Sequence, residues 1–357
     1  MKKSSKIIIG IVIILVAIRI ALPFIIKDYV NKVLQDIDGY EGSIDGVGLS
    51  LIRGAYQIHG LELFSVEKEI KTPFVAIKTI DISLEWKALL DGAIVGEIVL
   101  EEPELNFAAS ADEGVQTGEE NDWTETITDL LPLQINRFEI NNGKISYLDE
   151  YAEPSVNLYF NGLNALATNL SNATHSGENL PSHITAQSTS IGDGKFNAEM
   201  DINILKELPD FDMNISLENV DIPALNDFFK AYANVDAESG GFSFYTELAL
   251  IDGEMEGYFK PLTDDLRILR WRQEEEKFWG KAWEALVGLA GNLVENPRKN
   301  QIGTKVPISG KVEDTNVGTW KALTRLLKNA YLKPLQRQID QSIEVDRKTI
   351  INKENKK

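Results

Sequence analysis

Short segments in which apolar residues occupy every second position recur along most of this chain. The pattern begins between Gly46 and Phe107 and returns between Phe196 and Leu250. Because successive side chains of a strand point to opposite faces, each segment predicts a strand with one apolar and one polar face. Strands of this kind are typical of antiparallel sheets. The chain is therefore predicted to be mainly β, as a long, meandering antiparallel sheet.

Turn signals separate the predicted strands. In the first β region they are Arg53-Gly54, His59-Gly60, Thr72-Pro73, Asp91-Gly92 and Glu102-Pro103. Further along, Asn141-Asn142-Gly143 predicts a hairpin, because Asn-Gly suits the type I′ turn. A one-faced sheet must cover its apolar side with a second sheet or curl on itself, and the pattern alone leaves both a sandwich and a groove open.

The N-terminus predicts a membrane anchor. Ile7–Ile26 is a run of twenty residues, interrupted by Arg19 and Pro23, and is long enough to cross a bilayer. A cleaved signal peptide is the alternative, but no small-x-small cleavage site follows Ala17. Lysines precede the run, so the remainder of the chain is expected outside the cytoplasm. Residues 28–40 are predicted to form a short amphipathic helix that packs on the start of the sheet or lies on the membrane, and its few turns favour packing.

The last quarter of the chain has a different pattern. Arg267–Glu295 and Val317–Ile343 carry apolar residues at helical spacing and predict two amphipathic helices, with a strand over Lys305–Val312 between them. The second helix is apolar on one face and basic on the other, which suits a cap on the end of the sheet, a membrane contact, or both. The candidate membrane-contact residues are Trp320, Lys321, Arg325, Lys328, Lys333 and Arg337. The predicted domains are a membrane anchor (1–27), a β-sheet domain (28–265) and a helical cap with one strand (266–357).

The charge balance limits the partners. The chain has 55 acidic and 36 basic residues and a net charge of -19, which argues against nucleic acid because phosphate binding needs clustered Lys and Arg. It has no cysteine, and hence no disulfide framework or thiolate chemistry. Acidic residues concentrate in Ala109–Asp122, a segment with almost nothing to bury, which is predicted to be a solvated, mobile loop.

The sequence contains no arrangement of residues typical of catalysis. Its three histidines, His59, His175 and His183, are scattered, and a metal site would need a further ligand. It has no phosphate-binding glycine loop ending in Lys-Ser/Thr, no G-x-S-x-G motif and no H-E-x-x-H motif. We therefore expect no enzyme activity, no cofactor and no metal.

Four stretches of the chain carry a resemblance to a known family. They are GLSLIRGAYQIHGLELFS from residue 48, PFVAIKTIDISLEWKALLDGAIVGEIVLEEPELNF from residue 73, LPLQINRFEINNGKISYLD from residue 131 and GYFKPLTDDLRIL from residue 257. Together with the N-terminal anchor, they resemble the AsmA-like proteins of Gram-negative envelopes, in particular the smaller members of unknown function. The resemblance implies an inner-membrane anchor, a periplasmic sheet curled into an apolar groove, and a role in envelope lipid homeostasis.

With this resemblance, the expected fold is an elongated, curled antiparallel sheet that forms an apolar groove, with an N-terminal transmembrane helix and C-terminal amphipathic helices. The groove-lining candidates for lipid binding are Ile80, Ile82, Leu84, Ile98, Leu100, Phe107, Phe196, Met200, Ile202, Met213, Ile215, Leu217, Phe242, Phe244 and Leu248. Two functions stay open. The first is an inner-membrane-anchored periplasmic protein of envelope biogenesis that shields or transfers lipid, with phospholipid as its partner. The second is a non-catalytic structural or assembly factor for outer-membrane biogenesis that contacts envelope proteins and whose apolar face is a filled core.

Overall fold

The computed structural model divides the chain into two compact units, Met1–Tyr151 and Ala152–Lys357. It describes residues 3–50, 53–66, 70–84, 95–110, 115–116, 134–170, 179–203, 210–233, 235–270, 294–296, 301–303 and 305–311. The second predicted C-terminal helix, Val317–Ile343, lies outside the described residues, as do residues 271–293 of the first. The six candidate membrane-contact residues therefore lie outside them as well.

The described part of the first unit is one helix followed by six strands. These are α1 (Lys3–Gln35), β1 (Tyr40–Ser43), β2 (Gly46–Ser50), β3 (Ala55–Ser65), β4 (Val75–Leu84), β5 (Val95–Ala108) and β6 (Gln134–Asp149). The strand order is β1-β3-β4-β5-β6, and β2 pairs with β3 beside β1. Pairs are antiparallel except β5 with β6, which is parallel. Parallel strands need a crossover of a dozen or more residues, and residues 109–133 supply it.

The described part of the second unit contains nine strands. They are β7 (Val156–Thr168), β8 (Ser182–Ser190), β9 (Lys195–Asn203), β10 (Asp210–Asp221), β11 (Asp236–Ile251), β12 (Glu254–Arg270), β13 (Val294–Asn296), β14 (Gln301–Gly303) and β15 (Val306–Lys311). The order is β7-β8-β9-β10-β11-β12-β14-β13, with β15 also on β12, and these pairs are antiparallel. A 3-10 turn and the short helix α2 (Asn226–Ala233) connect β10 to β11.

The prediction of a mainly β chain, built on antiparallel strands after one apolar helix, is confirmed. The strand predicted over Lys305–Val312 is present as β15. The predicted domain boundaries after residues 27 and 265 fall inside α1 and inside β12. The first predicted C-terminal helix is wrong at both ends, since Arg267–Arg270 belong to β12 and residues 294–295 to β13.

Three predicted turns are also wrong, because strands run straight through them. His59-Gly60 lies inside β3, Glu102-Pro103 inside β5 and Asn141-Asn142-Gly143 inside β6. The strand β6 pairs with β5 on both sides of its Asn-Gly sequence, so it is one strand and not a hairpin. Gly60, Glu102 and Asn142 have φ values of 62°, 49° and 54°, in the left-handed region that residues also adopt in turns.

These positions align across the sheet. The flanking pairs place Gly60 beside Lys78 of β4, Lys78 beside Glu102, and Glu102 beside Asn142. We call these four residues the bulge row. The Lys78 ammonium donates to the Glu102 carboxylate within the row, and this hydrogen bond raises the pKa of Lys78.

The bulge row changes which side chains face the core. In β3 the buried positions change from even to odd numbers between Ile58 and Leu61. In β5 the residues that pack with the same apolar cluster change likewise, from Ile98 and Leu100 before the row to Leu105 and Phe107 after it. Each residue of the bulge row is one extra residue in the alternation of its strand. Because neighbouring strands carry this extra residue at the same level, their pairing register is kept and one apolar face continues across the row.

The end of α1 packs on this apolar face. Val30, Leu34 and Ile37 are buried, so the segment packs on the sheet, but the separate helix predicted over residues 28–40 is the end of α1, which stops at Gln35. They belong to one cluster, the first-unit core, whose buried members are Val30, Leu34, Ile37, Tyr40, Ile44, Ile58, Leu61, Leu63, Phe74, Ile80, Ile82 and Ile98. Tyr56 packs against this cluster, and burial, with a smaller contribution from Tyr29, raises its pKa.

A small part of the predicted acidic loop, Ala109–Asp122, is described. Ala109 forms a β-bridge with Val115, and the Gln116 side chain is fully buried. Its Nε2 donates to the carbonyl oxygen of Asn106 over 2.7 Å. The prediction of a solvated loop is wrong at Gln116, because this side chain holds the segment against the end of β5.

Candidate apolar binding face

Four register rows of mainly apolar side chains cross β8 to β12 on one face of the second unit. The rows are Ser188, Phe196, Leu217, Phe244 and Pro261; Ala186, Ala198, Ile215, Thr246 and Phe259; Ile184, Met200, Met213, Leu248 and Gly257; and Ser182, Ile202, Phe211, Leu250 and Met255. We call these residues the second-unit apolar face. Paired residues on neighbouring strands point to the same side of a sheet, so the face gathers most of the groove-lining candidates predicted after residue 195.

Burial is uneven over this face. On β11 and β12, Leu248, Leu250 and Met255 are buried and pack with Ile308 of β15. On β9 and β10 the apolar side chains are only half-buried: Phe196, Ala198, Met200, Ile202, Phe211, Met213, Ile215 and Leu217. The face is therefore closed around Leu248, Leu250 and Met255, and it is partly accessible over β9 and β10 and at Phe244, Phe259 and Pro261.

Aromatic rings lie at both sides of the accessible region. The rings of Phe160 and Phe196 meet edge to face with centroids 5.5 Å apart. Those of Phe244 and Phe259 are tilted, with centroids 6.2 Å apart. Phe242, a further candidate, pairs with Val220 beyond a bulge in β10 and is half-buried.

The opposite face of β9 is polar. Lys195, Asn197 and Glu199 are exposed and alternate with the apolar side chains, as the sequence predicts. Across to β8, the His183 Nδ1 lies 2.8 Å from the Asp201 Oδ1. Among the described residues, no group of three or more His, Asp or Glu side chains could hold a metal ion.

The first-unit candidates have different surroundings. Ile80, Ile82 and Ile98 are 9%, 1% and 1% exposed and belong to the first-unit core, under the end of α1. Leu100 and Phe107 pack against that core and are half-buried, and Leu84 is half-buried at the end of β4. The alternation thus brings the two sets of candidates onto apolar faces of different accessibility. Lipid contact at these residues stays a prediction.

A buried polar cluster that the sequence pattern does not predict lies on the other face of β11 and β12. Tyr245, Glu247, Tyr258 and Lys260 are at most 5% exposed. The Lys260 ammonium lies 5.5 Å from the centre of the Tyr258 ring, and the Lys305 ammonium lies 3.8 Å from the same ring. Alternation places these side chains on the polar face correctly, but it carries no signal that this face is covered.

The helix α1 is the candidate membrane span. Ile9–Gln35 is long and apolar enough to cross a bilayer, and none of its most apolar part is buried in the protein. No family model matches this chain, and no curated protein matches it either.

Proposed function

We propose that this chain is a non-catalytic protein of envelope biogenesis, anchored in the inner membrane by α1, that shields or transfers phospholipid on its second-unit apolar face. Lys2, Lys3 and Lys6, which precede the apolar run Ile7–Ile26, support a cytoplasmic N-terminus and a periplasmic position for both units. The order of anchor and strands, which resembles AsmA-like proteins, supports the envelope role.

The partly accessible apolar surface over β9 and β10 carries this proposal. Contiguous apolar patches of this kind usually mark a binding surface. Covering such a surface with apolar groups stabilises the complex by about 25 cal/mol per Å² of area removed from water. Acyl chains suit the described rows, which offer few polar groups that would select a more specific ligand.

A structural or assembly factor for outer-membrane biogenesis is the second candidate function. The first-unit core favours it, because Ile82 and Ile98 are packed as tightly as the core of any globular domain. In this alternative the second-unit apolar face binds an envelope protein instead of lipid.

Photocrosslinking from one strand separates the two functions. Phe196 and Asn197 are neighbours in β9, with Phe196 on the apolar face and Asn197 exposed on the other. Benzoylphenylalanine is placed at either position in the full chain, cells are irradiated, and adducts are identified by mass spectrometry. We expect phospholipid adducts from position 196 and few from position 197.

Each other outcome has a defined meaning. Protein adducts from position 196 without lipid would support the assembly factor. Equal lipid adducts from both positions would indicate unspecific contact with the membrane and would contradict the proposed lipid-binding face.

A further inference from the structure

Two cationic side chains of α1 hold β2 along the helix. The Arg19 Nη1 donates to the carbonyl oxygen of Leu49 over 3.1 Å, and the Lys27 Nζ donates to that of Asp45 over 2.7 Å. Between the two contacts, the residue numbers fall from 27 to 19 on the helix and rise from 45 to 49 on the strand side. The strand β2 therefore runs back along α1, towards the N-terminus of the helix.

The surface of α1 that β2 does not cover stays apolar and exposed beyond Arg19. Ile20, Phe24 and Ile25 are 63%, 72% and 63% exposed, and Tyr29 is 49% exposed. From Ile7 to Ile25 the exposed apolar surface covers about 28 Å of helix, close to the hydrocarbon thickness of a bilayer. Tyr29 follows at the level where aromatic residues are enriched in membrane proteins.

These two observations indicate the depth of β2 relative to the bilayer. Arg19 precedes Ile25 by about 9 Å along the helix axis. The Leu49 end of β2, which Arg19 contacts, is thus level with the last two turns of the apolar span, whereas Asp45, which Lys27 contacts, is level with its edge.

A carboxylate limits how deep this end lies. Ser50, Ala55, Ser83 and Glu97 form one register row across β2 to β5. Placing the Glu97 carboxylate in hydrocarbon would cost several kcal/mol, whereas the headgroup layer hydrates it. A tilted helix, which is the common case for membrane spans, lifts one of its sides towards that layer.

We propose that the β2–β3 end of the first unit rests in the phospholipid headgroup layer of the leaflet at which α1 leaves the membrane. The strand β2 has no charged side chain between Gly46 and Ser50, and Arg53, just before β3, is half-exposed in its ion pair with Asp81. Guanidinium groups bind phosphate, so Arg53 and Arg19 suit this layer. The inference rests on the membrane anchor in the proposed function and not on lipid at the second-unit apolar face.

Fluorescence quenching at three single cysteines tests this position. The chain has no cysteine of its own, so Ile13→Cys, Ser50→Cys and Ser43→Cys each give one labelling site. Ile13 lies in the apolar span, Ser50 ends β2, and Ser43 ends β1 beside Ile44, whose N–H donates to the Asn31 side chain over 2.9 Å. Ser50, which is half-buried, and Ser43, which is exposed, thus lie at opposite ends of the contact between α1 and the sheet, and quenching of position 50 by the headgroup label separates lipid contact from burial in the protein.

Each full-length variant carries a small environment-sensitive fluorophore in vesicles of phosphatidylethanolamine and phosphatidylglycerol. The quenchers are lipids spin-labelled at the headgroup or near the chain end, and acrylamide in the water. We expect position 50 to be quenched most by the headgroup label and several-fold less by acrylamide than position 43. Position 13 should be quenched most by the chain-end label.

The outcomes separate this inference from the rest of the proposal. Chain-end quenching at position 13, with positions 50 and 43 equally open to acrylamide, would overturn the headgroup contact and leave the anchor in place. Protection of position 50 from both acrylamide and lipid quenchers would mean that protein, such as a second copy of this chain, covers it, and would also overturn the inference. Lack of lipid quenching at position 13 would overturn the anchor itself.

Discussion

Ile82 and Ile215 are the same residue type at equivalent places in alternating strands, but their surroundings differ. Ile82 is 1% exposed within the first-unit core, whereas Ile215 is half-buried on the second-unit apolar face. Truncating a core isoleucine to alanine removes buried contacts and leaves a cavity. At a half-buried position water already reaches part of the side chain, and little cavity forms.

We therefore predict unequal losses of stability for one chemical change. Ile82→Ala should lower the free energy of unfolding by about 2–5 kcal/mol, and Ile215→Ala by less than half as much. Urea unfolding of the full chain in detergent, followed by circular dichroism, measures both. Equal losses would contradict the partly accessible face, because Ile215 would then be packed as Ile82 is.

Gly60 shows how one residue maintains the bulge row. Its φ is 62°, and a Cβ at this position would overlap the Asp45 carboxylate. We expect Gly60→Ala to destabilise the fold by about 1–3 kcal/mol, from left-handed backbone strain and displacement of Asp45. Gly46→Ala is the control, since nothing lies within 4 Å of a Cβ built there. If Gly46→Ala lowers the free energy of unfolding as much as Gly60→Ala does, the local conformation at Gly60 is not the cause of the destabilisation.

At the scale of the element, the bulge row explains why strands were predicted more reliably than the connections between them. Alternation is a local property, so β4, β9 and β10 follow from the sequence. A Gly or Asn with positive φ signals a turn and a bulge equally well, and only pairing with a neighbouring strand decides between them. The parallel pairing of β5 with β6 likewise depends on the path of the whole crossover.

The extra residue in β5 can be tested by removing it. Deleting Glu102 should turn Leu105 and Phe107, which pack against the first-unit core, to the opposite face. Leu105 and Phe107 are half-buried, so losing their burial should cost about 2–3 kcal/mol, a large part of the stability of a marginally stable domain. Urea unfolding in detergent measures the change.

Two matched variants complete this test. Deletion of Glu150, an exposed glutamate just after β6, should leave the unfolding midpoint nearly unchanged. Glu102→Asn, which removes the exposed ion pair with Lys78 but suits positive φ, should cost less than about 1 kcal/mol. A Glu102 deletion as stable as the Glu150 deletion would show that β5 can slip in register without penalty.

At the scale of the whole molecule, hydropathy predicted α1 well because a long apolar run is readable without tertiary contacts. The end of α1 was less predictable, because α1 continues beyond the apolar run to Gln35, and this last part is held by packing against β1 and β2. Accessibility of the apolar faces was not predictable either. Whether Ile80 or Phe196 is covered depends on what lies over the sheet, and alternation reports only which side a residue faces.

The orientation of the chain in the membrane is the last prediction. Lys2, Lys3 and Lys6 precede the apolar run Ile7–Ile26, and an excess of positive charge stays in the cytoplasm during insertion. In the cysteine-free chain, Ser4→Cys should therefore react with a membrane-impermeant maleimide only after the inner membrane is broken. Ser43→Cys, at an exposed position in β1, should react once the outer membrane is permeabilised. The opposite labelling pattern would show that the chain has the inverse topology. Loss of the Ser4→Cys label from the mature chain would show that the segment is a cleaved signal peptide and not an anchor.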